Sequence, residues 1–159
     1  MTVRWVGPVG ARCHSCCVSS PISIAPATDA LLTDCLNVDH LAAGGSTERR
    51  TELTDAAKQR RMRVALVDDR AVGYAIAAPW FFRESFLALV YVKSDVRGRG
   101  IGGRLVADFE KAHGTKVFTS TNLSNAPMQH LLRHRGWAPC GILHGLDEDD
   151  PEIFFAKAL

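Results

Sequence analysis

A stretch rich in glycine and arginine follows directly on an unbroken apolar run past the middle of the chain. The run is FLALVYV (86–92), and the stretch DVRGRGIGGRL (95–105) contains four glycines and three arginines. Because the run has no polar alternation, it predicts a central strand that is covered on both faces. Glycines that lead from a strand into a helix predict an anion site, since the first helical N–H groups lack internal partners and the helix dipole attracts negative charge. We therefore expect a phosphate or pyrophosphate group to bind at Arg97–Gly103.

The segments on either side of this stretch predict a mixed α/β layer. ISIAPAT (22–28) has the pattern of a first strand, and DALLTDCLNVDHL (29–41) has that of a single helix. MRVALV and AVGYAIAAP predict two strands joined by a turn at residues 68–70. A helix capped by Ser124 or Asn125 and two final strands complete the order β-α-α-β-β-β-α-β-α-β-β.

The composition indicates one globular domain and favours neither a nucleic-acid nor a membrane partner. The 159 residues are 47% hydrophobic and 23% charged, with a formal net charge of +2, which is too small to indicate a nucleic-acid surface. No apolar stretch reaches the roughly 18 residues that a membrane span needs. The start of the chain, MTVRWVGPVGARCHSCC, contains no apolar core of a signal peptide, so the cytoplasm is the expected location.

Five cysteines occur, three of them in the segment CHSCC near the start of the chain. A structural zinc site needs about four ligands, usually from two Cys-x-x-Cys pairs, and the second pair is missing. We therefore predict no metal, and we interpret residues 1–21 as a mobile extension before a domain over residues 22–159. The cysteines are expected to be reduced thiols, with Cys140 a small core residue rather than a nucleophile.

The glycine pattern also matches a dinucleotide-binding motif. Gly98, Gly100 and Gly103 satisfy G-x-G-x-x-G. Too few residues follow it for a doubly wound domain, and the acid expected about 20 positions later is absent from VFTSTNLSN. The Gly-Lys-Ser/Thr of a Walker loop is absent as well. A dinucleotide-binding oxidoreductase therefore stays as a weaker alternative.

Two motifs in the second half of the chain resemble those of a known enzyme family. LVYVKSDVRGRGIGGRL resembles motif A of the GNAT superfamily of N-acetyltransferases, because Arg97, Gly100 and Gly102 match its Arg/Gln-x-x-Gly-x-Gly/Ala pattern. TNLSNAPMQHLLRHRGW resembles the motif that follows, an Asn, an apolar helix and Gly-aromatic. The resemblance extends over residues 22–159 and implies a splayed mixed sheet of about seven strands with about four helices.

The same resemblance implies a cofactor and the residues that bind it. Acetyl-CoA would be the co-substrate, and its pantetheine arm would pair with the strand backbone at Val90, Tyr91 and Val92, since an extended polyamide can bind as an added strand. Asn122 and Asn125 would contact the amide or adenine side of the cofactor. The pyrophosphate would bind the loop and helix start formed by Arg97, Gly98, Arg99, Gly100, Ile101, Gly102 and Gly103.

The sequence departs from the family at the position of the general acid. Many members have a tyrosine there that protonates the leaving thiolate, and this chain has Leu132. A thiol with a pKa near 8.5 can leave unaided. His130, His134 and Ser124 lie close in sequence, but exposed helix positions explain the two histidines and a helix cap explains the serine. A coenzyme A-binding module without catalysis therefore stays open beside the N-acetyltransferase.

A general base is also expected, because an alkylammonium must lose a proton before it attacks. Glu84 is the nearest carboxylate before the central strand, and Tyr91 is the other candidate if its side chain points into the cleft. The acidic turn at residues 147–150 would attract a cationic amine, or it is a solvated hairpin tip. We expect direct transfer of an acetyl group to a primary amine of a small molecule or peptide, by a monomer or a homodimer.

Overall fold

The structure is a computed structural model that describes residues 20–79 and 81–159. The segment CHSCC and most of the predicted extension lie outside these residues, so the predictions made for them have no structural outcome. No helix in the described ranges is long and apolar enough to cross a membrane.

The described residues form one sheet of seven strands with five α-helices. The strands lie in the order β1-β2-β3-β4-β5-β7-β6, in which β4 and β5 are parallel and every other neighbouring pair is antiparallel. The predicted mixed sheet is confirmed. In chain order the elements are β1 (Ser23–Pro26), α1 (Asp29–Val38), α2 (His40–Ala43), α3 (Thr47–Lys58), β2 (Met62–Val67), β3 (Arg70–Ala77), β4 (Ser85–Val92), α4 (Ile101–Ala112), β5 (Lys116–Asn122), α5 (Ala126–His134), β6 (Ala138–Leu143) and β7 (Glu152–Ala158).

The turn between β2 and β3 is a two-residue hairpin turn. Val67 pairs with Arg70, and both residues between them have positive φ, 49° at Asp68 and 58° at Asp69. Two consecutive left-handed residues are typical of a type I′ turn, whose twist matches that of the flanking strands. The predicted turn at residues 68–70 is confirmed.

The single helix predicted over residues 29–41 is wrong, because the chain forms α1 and α2 with a break at Asp39. Asp39 is only 1% exposed, and its carboxylate accepts hydrogen bonds from the backbone N–H groups of Leu41 and Ala42 at 2.9 Å and from the Tyr74 hydroxyl at 2.5 Å. A buried carboxylate needs such donors. Asp39 therefore caps α2 instead of continuing α1.

Helices cover the two faces of the sheet over different strands. On one face, α4 and α5 bury a core that includes Leu105, Phe109 and Leu132. On the other face, α1–α3 bury Cys35 and Tyr74 with the strands β2–β4. Burial raises the pKa of the Cys35 thiol to about 12, with Asp34 and Asp39 adding to the effect, so this cysteine stays protonated near neutral pH.

No described helix packs on the second face over β5, β7 and β6, and we call this surface the open face. The edge strand β6 is exposed along its whole length, Cys140 included. The prediction that Cys140 is a core residue is therefore wrong, because nothing in the described part of the chain covers this edge.

The strand β4 separates from β5 after three paired residues. Ser85–Leu87 pair with Val117–Thr119, and the pairing ends there. On the other side of β4, Leu87 pairs with Ala77 and Leu89 with Ile76, which makes Ala88 the extra residue of a β-bulge. Only Leu87 of this strand is fully buried, so the prediction of a strand covered on both faces is wrong.

Candidate active site

A cleft of about 600 Å³ opens where β4 and β5 separate. Its walls are the second half of β4, the end of β5, the loop before α4 and the start of α5. The cleft therefore brings together residues that the sequence places far apart. Of the predicted cofactor residues, those that line it are Val90, Tyr91, Val92, Arg97, Gly98, Gly100, Ile101, Gly102, Gly103, Asn122 and Asn125.

Thr119 closes the inner end of the cleft. Its hydroxyl donates a 2.7 Å hydrogen bond to the carbonyl of Leu87, at the last paired position of β4 and β5. Thr119 is 1% exposed, so water cannot replace this bond easily. The side chain thus satisfies a strand carbonyl at the point where the sheet opens.

Thr119→Val should lower the free energy of unfolding by about 1–3 kcal/mol, because it leaves the Leu87 carbonyl buried without its donor. Urea denaturation of the two proteins measures the difference. Thr121→Val is the control, since Thr121 is also buried and lines the same cleft without bonding a strand carbonyl in the described residues. Equal losses in both variants would contradict this role of Thr119.

The loop before α4 has the geometry of an anion site. Gly98 and Gly100 adopt positive φ values of 77° and 80°, and Gly100 is the N-cap residue of α4, where no side chain caps the helix. A Cβ atom built on Gly98, Gly100 or Gly103 would meet no atom within 4 Å, so open space lies in front of these backbones. Uncapped N–H groups facing open space at a helix N-terminus can bind an anion.

The arginines of this loop differ in position. Arg97 lines the cleft, and its Nε donates to the carbonyl of Val92 at 3.0 Å. Arg99 is exposed and does not line the cleft. Arg104 turns towards β1, where it lies 3.4 Å from the carbonyl of Ile22. Arg97 is therefore the one arginine of this loop that lines the cleft.

The polar residues after β5 hold the far side of the cleft. Asn125 caps α5 by accepting from the Met128 N–H at 3.2 Å, so the cap is Asn125 rather than Ser124. Ser124 instead donates from its hydroxyl to Asp150 at 2.6 Å. Asn122 donates to Asp147 at 2.7 Å. These bonds attach the acidic turn to the end of β5 and to the residues that lead into α5.

Glu84 lies outside the cleft. It is exposed in a separate depression of about 440 Å³ at the opposite end of β4, next to Arg61 and Arg83. The paired segment Ser85–Leu87 stands between that depression and the cleft. We therefore correct the predicted assignment: Glu84 is not placed to act as the base.

The side chain of Tyr91 also points away from the cleft. Its hydroxyl donates to the Val38 carbonyl at 2.9 Å and accepts from the His40 N–H at 3.2 Å. Its ring stacks on that of Tyr74 with centroids 5.4 Å apart. Tyr91 therefore holds the junction of α1 and α2, and only its backbone remains a candidate for cofactor binding.

The position of the missing acid is fully buried. Leu132 is 0% exposed in the core beneath α5, whereas its neighbour Leu131 lines the cleft. His130 and His134 are exposed on α5 with ring centroids 5.3 Å apart, and neither lines the cleft. The described residues therefore place no tyrosine hydroxyl or imidazole in the cleft.

One carboxylate of the cleft was missed in the sequence. Glu152, the first residue of β7, lines the cleft beside Asn122, with which it pairs across the strands. The sequence gives little indication of this role, because an acid next to an acidic turn is typical of a solvated surface. Within the described ranges, no group of three or more His, Cys, Asp or Glu side chains could hold a metal ion.

A family sequence model and solved structures of acetyltransferases are similar to this chain. The sequence model of the Acetyltransferase (GNAT) family matches residues 29–137. A crystal structure described as an acetyltransferase of the GNAT family from Bacillus cereus ATCC 10987 is 28% identical, with a TM-score of 0.81 over 87% of this chain and 98% of that one. A ribosomal-protein-alanine N-acetyltransferase from Brucella melitensis is 26% identical, with a TM-score of 0.69 over 86% of this chain and 99% of that one.

A curated relative is similar over a shorter region. The mycothiol acetyltransferase of Rhodococcus opacus (strain B4) is 40% identical over 86 residues, which is 53% of this chain and 24% of that protein. The chain thus spans about a quarter of the length of the curated relative that it matches.

Proposed function

The chain belongs to the GNAT family of acetyltransferases, and from this membership we propose that it transfers an acetyl group from acetyl-CoA to a primary amine. The observation that carries the proposal is the cleft, which joins an unpaired strand edge to an uncapped, glycine-rich helix start. The acceptor would be a small molecule or a peptide, and a cytoplasmic location is part of the proposal.

The residues of the cleft are suited to an elongated thioester that ends in phosphates. Beyond Leu87, the edge of β4 that faces the cleft has no strand partner, so its N–H and C=O groups up to Val92 can pair with an extended polyamide arm, apart from the Val92 carbonyl, which accepts from Arg97. The open space before Gly98 and Gly100 leaves room for a pyrophosphate on the start of α4. Arg97 adds positive charge there.

Direct transfer needs no covalent enzyme intermediate. The lone pair of a neutral amine attacks the thioester carbonyl, a C–N bond forms, the C–S bond breaks, and the sulfur leaves as a thiolate. The ammonium form of the amine first loses a proton to solvent water. Because Leu132 is buried and supplies no acid, the thiolate leaves without a donor from that position, which its pKa near 8.5 permits. Holding amine and thioester together in the cleft supplies the main rate gain.

The buried Leu132 also favours a second candidate, a coenzyme A-binding module without catalysis. Thermal shift with acetyl-CoA, coenzyme A and NAD, added separately, distinguishes a coenzyme A site from a dinucleotide site. Stabilisation by the first two and not by NAD is the expected result, at about 2.7 kcal/mol for ligand at a hundred times its Kd. Release of free thiol in the presence of a panel of primary amines then distinguishes the enzyme from the module.

The rate of acetyl transfer should rise with pH along a single limb and show no falling limb below about pH 9, because deprotonation of the amine limits attack and no acid assists the thiolate. Thiol release measured from about pH 6 to pH 9 with one amine tests this. A bell-shaped profile would contradict this expectation and would indicate a group that protonates the thiolate.

A further inference from the structure

Glu152 is the only Asp or Glu among the described residues that line the cleft. It is half-buried at the first position of β7, between Asn122 on one side and Leu143 on the other. Its carboxylate forms no ion pair with any other residue in the described part of the chain. A half-buried carboxylate without a cationic partner is energetically unfavourable, because partial burial weakens its hydration.

The pleat of the sheet places Glu152 on the open face. Phe155 is fully buried in the core under α4 and α5, so the alternation of side chains turns Glu152 and Phe154 to the opposite side. Ser120 pairs with Phe154 and Asn122 with Glu152, so these side chains share that side. Glu152 therefore faces away from α4 and α5 and lies on the open face, where an acceptor can approach.

The neighbouring acids are already bonded. Asp147 accepts from Asn122 at 2.7 Å, and Asp150 accepts from the N–H and the hydroxyl of Ser124 at 2.9 and 2.6 Å. The acidic turn is thereby attached to the protein. Among the acids at this end of the cleft, Glu152 is the one that both lines it and stays available to a ligand.

Four phenylalanine rings cluster on the open face, where Phe154 lies two residues from Glu152 on the same side of β7, and we call them the phenylalanine floor. The ring centroid of Phe81 is 4.4 Å from that of Phe86, 5.2 Å from that of Phe118 and 6.2 Å from that of Phe154. Lys116 lies 5.0 Å above the Phe118 ring, at the end of the floor away from Glu152. Phe81 and Phe86 also line the depression that holds Arg61, Arg83 and Glu84. The end of the apolar surface away from Glu152 thus carries three cationic side chains, Lys116 included, and one carboxylate.

We infer that Glu152 binds the ammonium group of the acceptor and that the apolar body of the acceptor lies on the phenylalanine floor. The acceptor class is then a primary monoamine with an aromatic or other apolar group, because Lys116, Arg61 and Arg83 together outweigh Glu84 at the far end and would repel a second ammonium. This inference rests on the proposed function and adds an acceptor class to it.

Steady-state thiol release with 2-phenylethylamine and with ethanolamine tests the inference. Wild-type protein should acetylate 2-phenylethylamine with the higher kcat/KM. Glu152→Gln should raise the KM for that amine about tenfold, since one charge-assisted hydrogen bond is lost, and should leave the Kd of acetyl-CoA unchanged. Glu152→Asp should recover part of the loss. The control is Glu148→Gln, which removes an exposed acid of the turn outside the cleft.

The outcomes separate the two proposals. Transfer by wild-type protein together with a KM within about twofold of wild type in both Glu152 variants would overturn the role of Glu152. Preference for ethanolamine would overturn the role of the phenylalanine floor. Absence of thiol release with every amine in the panel would instead contradict the proposed function, and the inference would fall with it.

Discussion

Gly100→Glu is expected to lower the affinity for acetyl-CoA by about a hundredfold or more, equivalent to roughly 2.7 kcal/mol. A Cβ at this position points into open space in front of the helix start, so the new carboxylate would occupy the place proposed for a phosphate and would repel it. The fold should persist, because no described atom lies within 4 Å of that Cβ. Isothermal titration calorimetry with acetyl-CoA measures the change.

Gly45→Glu is the matched control for this substitution. Gly45 also has positive φ, 95°, and also has no atom within 4 Å of an added Cβ, but it lies between α2 and α3, outside the cleft. Both variants should therefore share a backbone strain of about 1–2 kcal/mol, and only the variant at Gly100 should lose affinity. An unchanged Kd in Gly100→Glu would contradict the assignment of the phosphate site.

The loop before α4 could be predicted because its signals are local. Glycines with positive φ and the start of an amphipathic helix are properties of a few adjacent residues, and the structure places Gly98 and Gly100 accordingly. The succession of helices and strands along the chain, apart from the break at Asp39, followed from the same kind of pattern. What binds at this loop remains a proposal, supported by the open space and the uncapped N–H groups.

The catalytic assignments depended on long-range geometry and could not be predicted in this way. Regular alternation along β4 would place Tyr91 on the same side as Leu87. The bulge at Ala88 shifts the alternation by one residue, and Tyr91 then faces α1 and α2. Proximity in sequence to β4 favours Glu84 as the base, but the paired start of that strand separates it from the cleft.

The break at Asp39 has the same origin. Periodicity alone predicts that α1 continues, and the competing bond from Asp39 to the hydroxyl of Tyr74 comes from a strand far along the chain. Glu152 likewise reaches the cleft only because β7 lies next to β5 in the sheet. Contacts between side chains that the order of strands in the sheet brings together are therefore seen in the structure and cannot be inferred from the spacing of residues in the sequence.

Glu110→Ala is expected to lower the free energy of unfolding by about 3 kcal/mol, because Glu110 joins three elements through one buried carboxylate. Its oxygens accept from the Arg135 guanidinium at 2.5 and 3.2 Å and from the Trp137 indole N–H at 2.7 Å, and the ammonium of Lys157 lies at 3.1 Å. The Glu110 side chain is 9% exposed. Urea denaturation at neutral pH measures the loss.

Asp108→Ala, on the same helix, is the control. Asp108 pairs with Arg63, but the two side chains are 23% and 34% exposed, so its removal should cost about 1 kcal/mol or less. Equal losses in the two variants would show that the loss reflects helix α4 in general and not the three-donor arrangement around Glu110.

The pH dependence of stability gives an independent test of the same arrangement. Burial alone raises the pKa of Glu110, but hydrogen bonds from Arg135, Trp137 and Lys157 outweigh it and hold the pKa below its usual range. A lowered pKa in the folded state means that the contribution of Glu110 to stability is fully present above the unfolded pKa of about 4.3 and is lost as the pH falls through the folded value.

The difference in unfolding free energy between wild type and Glu110→Gln should therefore be constant from about pH 7 to pH 5 and should shrink below about pH 4. A difference that stays constant down to pH 3 would show that the carboxylate charge is not what holds α4, α5 and β7 together.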